Sequence, residues 1–182
     1  MSPMATVNPA DISLRPARDG DEPFLKRVHE TARHWEFAAL LQTGQADLYH
    51  KIMAQQYDAQ HRFYFANYDT AHYGIIQWTG QPVGRLYVDY RDDEVRVLEI
   101  AILPEYRGRG IGRIVMTGLC LEAAMRKKPV RLHVHYLSRA QRFYSHLGFR
   151  EIALEGPDRL MEWRHPQAEG QGRILHGSAA PS

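Results

Sequence analysis

Hydrophobic and polar positions change their period several times along the chain, and each change marks an element. Ile12-Ser13-Leu14-Arg15-Pro16 alternates and predicts a short strand. Asp19 and Glu22 form a capping-box pattern, and Pro23 suits a first helical turn. Phe24, Leu25, Val28, Ala32 and Trp35 recur with helical spacing, and Leu48, Ile52, Met53, Tyr57, Phe63 and Tyr64 form a second helical stripe. From Tyr73 the period drops to two. Residues 73–78 and 83–90 predict a hairpin turning through Thr79-Gly80-Gln81. On the second of these strands Leu86, Val88 and Tyr90 share one face, and Arg85, Tyr87 and Asp89 the other. Arg91-Asp92-Asp93-Glu94 reads as a charged, solvated turn. Residues 95–103 are almost continuously apolar, as in a strand covered on both faces. A helix follows over 111–127, stopped by Pro129. Residues 130–136 alternate strictly as a strand, 138–147 form a short helix ended by Gly148, and 149–154 and 159–163 are two last strands. The order β-α-α-β-β-β-α-β-α-β-β predicts a mixed α/β (α+β) fold, a sheet of six to seven strands with helices on its faces.

Composition narrows the class. The chain has 182 residues, 44% hydrophobic and 24% charged, which suits one globular domain and excludes wholesale disorder. The expected folded unit is 12–164, between a loose start at 1–11 and a Gly-, Ala-, Ser- and Pro-rich tail at 165–182. Cys120 is the single cysteine, so no intrachain disulfide forms and a reducing compartment is expected. No apolar run reaches the ~20 residues of a membrane span, and Met1–Ala10 has no basic-then-apolar pattern of a secretory signal. The expectation is a cytoplasmic protein with no membrane partner. The net charge of +2 argues against nucleic acid as the main partner but allows a small anion at one basic site.

That site is legible. The strand over 95–103 feeds Pro104-Glu105-Tyr106-Arg107-Gly108-Arg109-Gly110-Ile111-Gly112-Arg113, a glycine-rich loop opening a helix. The first turn of a helix carries free N–H groups and the positive end of the dipole. Glycines let the backbone approach an anion, and Arg107, Arg109 and Arg113 add charge suited to phosphate. Pyrophosphate fits such a place. The loop lacks the Lys-Ser or Lys-Thr of a P-loop, and its G-x-G-x-G spacing departs from the dinucleotide G-x-G-x-x-G.

Arg107-Gly108-Arg109-Gly110-Ile111-Gly112 instead resembles the [QR]-x-x-G-x-[GA] signature of the GNAT acetyltransferases. Ile100 to Tyr106 resembles the strand and turn that lead into it. Leu132-His133-Val134, Ala140, Phe143-Tyr144 and Leu147-Gly148-Phe149 resemble the family's second strand–helix–G-F region. The resemblance covers about 12–164 and is most specific over 98–149.

It implies a GNAT-like sheet whose central parallel strands, 95–103 and 130–136, splay apart around acetyl-CoA. Backbone amides from Arg107, Gly108, Arg109, Gly110, Ile111 and Gly112 would hold the pyrophosphate, with Arg113 beside them. Main-chain groups of Ile102 and Leu103 would pair with the pantetheine arm. A primary amine of a small molecule or protein would attack the thioester directly, in a ternary complex and without a metal. Tyr144 stands where the family often places its general acid, or packs beside Phe143. Glu99 is the carboxylate within the central strand, either a general base or the ion-pair partner of a nearby arginine. Many members carry Asn just after the second strand. Here the stretch is Tyr136-Leu137-Ser138-Arg139, so Ser138 is the hydroxyl available near the thiol. A non-catalytic acyl-CoA-binding module is the alternative. Dimers are frequent in the family, so a homodimer is among the expectations.

Other residues read more plainly. His133 and His135 share a strand face but lack a third ligand at metal spacing. His29, His34 and His50 read as the polar surface of amphipathic helices, and Cys120 as a core thiol.

Overall fold

The computed structural model describes residues 7–68 and 70–166. Its strands make a mixed, mostly antiparallel, seven-stranded sheet flanked by helices, the class predicted. The elements are β1 (Ile12–Pro16), α1 (Glu22–Gln42), α2 (Ala46–Asn67), β2 (Ala71–Trp78), β3 (Gln81–Tyr90), β4 (Val95–Ile102), α3 (Ile111–Met125), β5 (Val130–His135), α4 (Ala140–His146), β6 (Arg150–Glu155) and β7 (Asp158–Trp163). The described residues fall into two compact units, one from 7–90 and Val97–Val115, the other from Arg91–Arg96 and 116–166. Most of the expected tail, from residue 167, and the first six residues lie outside the described residues. Residues 9–11 form one 3-10 turn capped by the Asn8 side chain, and Val7 is buried. No helix among the described residues is long and apolar enough to cross a membrane.

In the first unit β1 pairs antiparallel with β2, and β2 with β3. The β2–β3 connection closes through Thr79 and Gly80, at φ 49° and 81°. Two positive φ values in succession are what a tight hairpin turn demands, and glycine meets that demand without strain. β3 is buried along nearly its whole length because both faces are covered. Leu25, Tyr57, Ile75 and Tyr87 form one core cluster, and Val28, Ala101 and Leu103 another. The apolar stripe of α1 thus covers β2, β3 and the end of β4, each buried aliphatic side chain contributing about 1.5–3 kcal/mol. Gly84 lets β3 and β4 approach: a Cβ there would lie 2.3 Å from the Ala101 carbonyl oxygen. Entry into α1 is fixed by Arg15, whose Nη1 and Nη2 donate to the two Asp21 oxygens at 2.6 and 2.7 Å. Those bonds, with the Arg18 N–H, hold the Asp21 carboxyl down at about 2 despite its burial.

In the second unit β7 pairs antiparallel with both β5 and β6. The turn before β4 corrects the solvated reading. Asp92 and Asp93 are exposed, but Glu94 is only 2% exposed. Its carboxylate accepts from Arg91 (2.9 Å), Arg96 (2.8 Å) and Arg131 (2.9 Å). Burial pushes the Glu94 carboxyl up, but Arg96 and Arg131 outweigh it and the net shift is downward. Arg131 also donates to Glu162 at 2.7 Å, so one guanidinium ties β5 to the turn and to β7.

Two outcomes follow for stability. Gly84→Ala should cost about 1–3 kcal/mol in urea denaturation, because a backbone oxygen cannot yield as a side chain does, while Gly20→Ala, with nothing within 4 Å of the new Cβ, stays near neutral. An unfolded Asp titrates near ~3.9, so the Arg15–Asp21 contribution is complete above about pH 4 and disappears as the pH falls through about 2. Wild type should therefore lose stability more steeply than Asp21→Asn across that window.

Candidate active site

Beyond β4 the chain turns sharply. The Leu103 N–H donates to the Val83 carbonyl at 2.9 Å, so Leu103 faces β3. Successive strand residues send their main-chain groups to opposite edges, so those of Ile102 face away from β3. The Ile102 carbonyl accepts from Arg107 Nε at 2.7 Å. Pro104–Tyr106 makes one 3-10 turn. Gly108 and Gly110 sit at φ 72° and 87°, with nothing within 4 Å of a Cβ on either. The first helical bond of α3 runs from the Ile114 N–H to the Gly110 carbonyl at 3.0 Å. The N–H groups of Ile111, Gly112 and Arg113 therefore have no acceptor inside the helix. Ile111 and Leu103 bury their side chains and anchor the turn, and α3 has no acidic residue in its first turn. Open space beside two glycines, donor N–H groups and three arginines fit a phosphate group. The Arg109 guanidinium lies over the Trp78 ring, 5.4 Å from its centroid, and Tyr106 meets the same ring edge-on.

Glu99 on β4 is the partner of Arg85 on β3, the ion-pair alternative read from the sequence. Arg85 is 1% exposed and grips Glu99 Oε1 through Nε at 3.1 Å and through Nη2. Burial alone would lower the Arg85 pKa, and the Glu99 charge turns the shift upward. The network reaches α1 and α2. Gln60 Oε1 lies 3.3 Å from Arg85 Nη2 and 3.1 Å from His29 Nδ1. His29 is buried, not on the helix surface, and burial beside Arg85 lowers its pKa to about 4. The neutral ring then donates from Nδ1 to Gln60. His29 Nε2 and Glu99 Oε2 are buried acceptors with no partner among the described residues. Burial pushes the Tyr87 phenol, whose ring lies under Arg85, up to about 12.

In the second unit Tyr144 is buried on α4, with Phe143 and Phe149 edge-on at 5.1 and 5.6 Å. The Ser138 hydroxyl oxygen accepts from the Ala140 N–H at 3.2 Å and so helps start α4. His133 accepts from Arg96 at Nδ1 (3.3 Å) and donates from Nε2 to Glu155 (2.9 Å), while His135 Nδ1 accepts from the Leu137 N–H. No group of three or more His, Cys, Asp or Glu among the described residues is placed to hold a metal ion. Burial raises the Cys120 thiol to about 12, which leaves it unreactive.

Arg85, Gln60 and His29 are what sequence reading misses as site residues. The available signal was Arg85 on the strand over 83–90, matched by Glu99 inside the apolar run of the next one. Removing one member strands a buried charge. Arg85→Leu should therefore cost about 3–5 kcal/mol, and Arg85→Leu with Glu99→Leu distinctly less, as measured by a denaturation double-mutant cycle.

Three known structures share the fold. A PaiA N-acetyltransferase from Thermoplasma acidophilum, in complex with coenzyme A, is 20% identical with a TM-score of 0.63, covering 85% of this chain and 99% of its own. An acetyltransferase from Thermus thermophilus is 18% identical with a TM-score of 0.60, covering 85% and 97%. A GNAT family acetyltransferase from Elizabethkingia anophelis, with acetyl-CoA bound, is 12% identical with a TM-score of 0.54, covering 85% and 99%. No curated protein sequence matches. The pattern that defines the acetyltransferase (GNAT) domain matches residues 59–151, just over half of the chain, from the middle of α2 through the glycine loop to β6. The chain belongs to the GNAT acetyltransferase family.

Proposed function

We propose that the protein is an acetyl-CoA-dependent N-acetyltransferase that moves an acetyl group directly to a primary amine, on a small molecule or a protein, in a ternary complex. The observation that carries this is the open, donor-rich turn from Gly108 to Arg113. The coenzyme A and acetyl-CoA bound by two structures of the same fold support it.

In this reading the backbone N–H groups of 108–112 hold the pyrophosphate, the expected Arg107 N–H being taken by the Pro104 carbonyl, and the side chains of Arg107, Arg109 and Arg113 balance its charge. The Ile102 N–H, which faces away from β3, pairs with the pantetheine arm, whereas Leu103, expected beside it, has its N–H taken by the Val83 carbonyl and its carbonyl by the Tyr106 N–H; Ser138 supplies a hydroxyl near the thiol. Acetyl-CoA supplies an acyl group activated as a thioester. A backbone N–H of β4 polarises the carbonyl. Glu99 takes the proton that the acceptor ammonium must lose onto Oε2, the oxygen that Arg85 leaves without a partner among the described residues. Tyr144 donates the phenolic proton to the sulfur as the carbon–sulfur bond breaks. A cytoplasmic location belongs to the same reading, supported by a single cysteine that needs no oxidising environment. The grip of Arg85 on Glu99 and the aromatic packing of Tyr144 favour one second reading, an acyl-CoA-binding module without turnover.

Calorimetry should find micromolar acetyl-CoA binding to wild type, no comparable ATP binding, and loss of acetyl-CoA binding in Gly110→Trp. Absence of acetyl-CoA binding by the folded wild type would sink the proposal. With an amine panel and thiol-release detection, Tyr144→Phe should lower kcat by about 10²-fold while leaving acetyl-CoA affinity within about twofold. Binding without turnover across the panel would select the second reading.

A further inference from the structure

A cavity of about 900 Å3 opens in the first unit, away from the glycine loop. Along β3 its lining begins at Leu86, three residues and roughly 10 Å from the Val83 carbonyl that holds Leu103, and ends at Tyr90, roughly 23 Å away. None of residues 99–113 lines it. The volume is that of a small-molecule site.

The walls have a definite chemistry. Four rings form a continuous column: Tyr57 stacks on His61 at 5.7 Å, His61 meets Phe65 at 4.5 Å, and Phe65 stacks on Tyr73 at 4.6 Å with planes 12° apart. Carboxylates come from Asp19, Glu22 and Asp58. Of the two lining cations, Arg15 is neutralised by its bidentate bond to Asp21, which leaves Arg18. Aromatic faces with carboxylates attract an organic cation and give little to an anion.

The molecule already holds such a group at this edge. Lys26 Nζ lies 2.7 Å from Glu22 Oε1 and 5.5 Å from the centroid of the Tyr57 ring. Glu22 and Tyr57 both line the cavity. A primary ammonium is thus held between a carboxylate and a ring face, by a side chain that is itself half exposed. An incoming ammonium would meet the same partners, and Phe65, which is 57% exposed, offers the ring surface beside them.

We propose that this cavity is a second ligand site, distinct from the glycine-loop end, for a primary ammonium carried on an aromatic body. The ring lies against the Phe65–Tyr73 wall, and the ammonium sits among Glu22, Asp58 and Tyr57. The site goes beyond the acetyl-transfer reading and does not depend on it.

The test is titration of phenethylammonium into the full chain, followed by calorimetry and by the amide shifts of Tyr73 and Gly74. Saturable binding in about the millimolar range or tighter is expected, with 2-phenylethanol at least about tenfold weaker. Phe65→Ala should weaken it about tenfold. Lys26→Met, which removes the competing internal ammonium, should strengthen it severalfold, an effect that mere damage to the fold would not produce. Gly110→Trp should leave it unchanged. Equal binding of the alcohol, loss of binding in Gly110→Trp, indifference to both Phe65→Ala and Lys26→Met, or no saturation by about 10 mM would each overturn the proposal. Acetyl-CoA binding, measured on the same samples, reports separately on the glycine loop.

Discussion

Arg85 and Glu99 cannot be placed in an interior singly. Removing a guanidinium or a carboxylate from water costs several kcal/mol, and only a partner in good geometry offsets it. That requirement couples β3 to β4 at one position, and the remaining Arg85 donor then couples both strands to Gln60 and His29 on the helices. The helix pair, the two strands and the tyrosines around them are thus organised by one neutral pair of charges. Burial around that pair keeps the Tyr64 and Tyr87 phenols protonated, available as donors and unable to add negative charge to the site.

The second unit solves a similar problem with opposite proportions. One buried carboxylate, Glu94, receives three guanidinium groups, and the excess positive charge is passed on to Glu162 through Arg131. A formal net charge of +2 conceals both arrangements, because ions paired inside a fold cancel in the sum. The balanced composition is therefore consistent with strongly charged interiors as well as with a basic loop on the surface.

What was legible in the sequence was whatever is encoded locally. Period-two alternation over 130–136 and the near-continuous apolar run of 95–103 each have one sensible conformation, and both appear as strands. The glycine loop was legible for the same reason, since the strand end, the glycines and the helix start are adjacent in the chain. Glu94 was not. Its four-residue charged stretch looks like any solvated turn, and two of the arginines that bury it arrive from β4 and β5, Arg131 from far along the chain. His29 was read as helix surface because its spacing does not reveal that an arginine from β3 and a glutamine from α2 meet beneath it. Contacts assembled from three elements leave no periodic trace in any one of them.

The arginine stacked on Trp78 has a consequence for where its charge stands. Stacking uses the face of the guanidinium and leaves its in-plane N–H donors open. A cation over an aromatic face is stabilised by roughly 0.5–2 kcal/mol, which offsets part of the freedom that a long side chain gives up when it is held in one place. A residue at the end of β2 therefore keeps a positive charge posted beside the glycine turn.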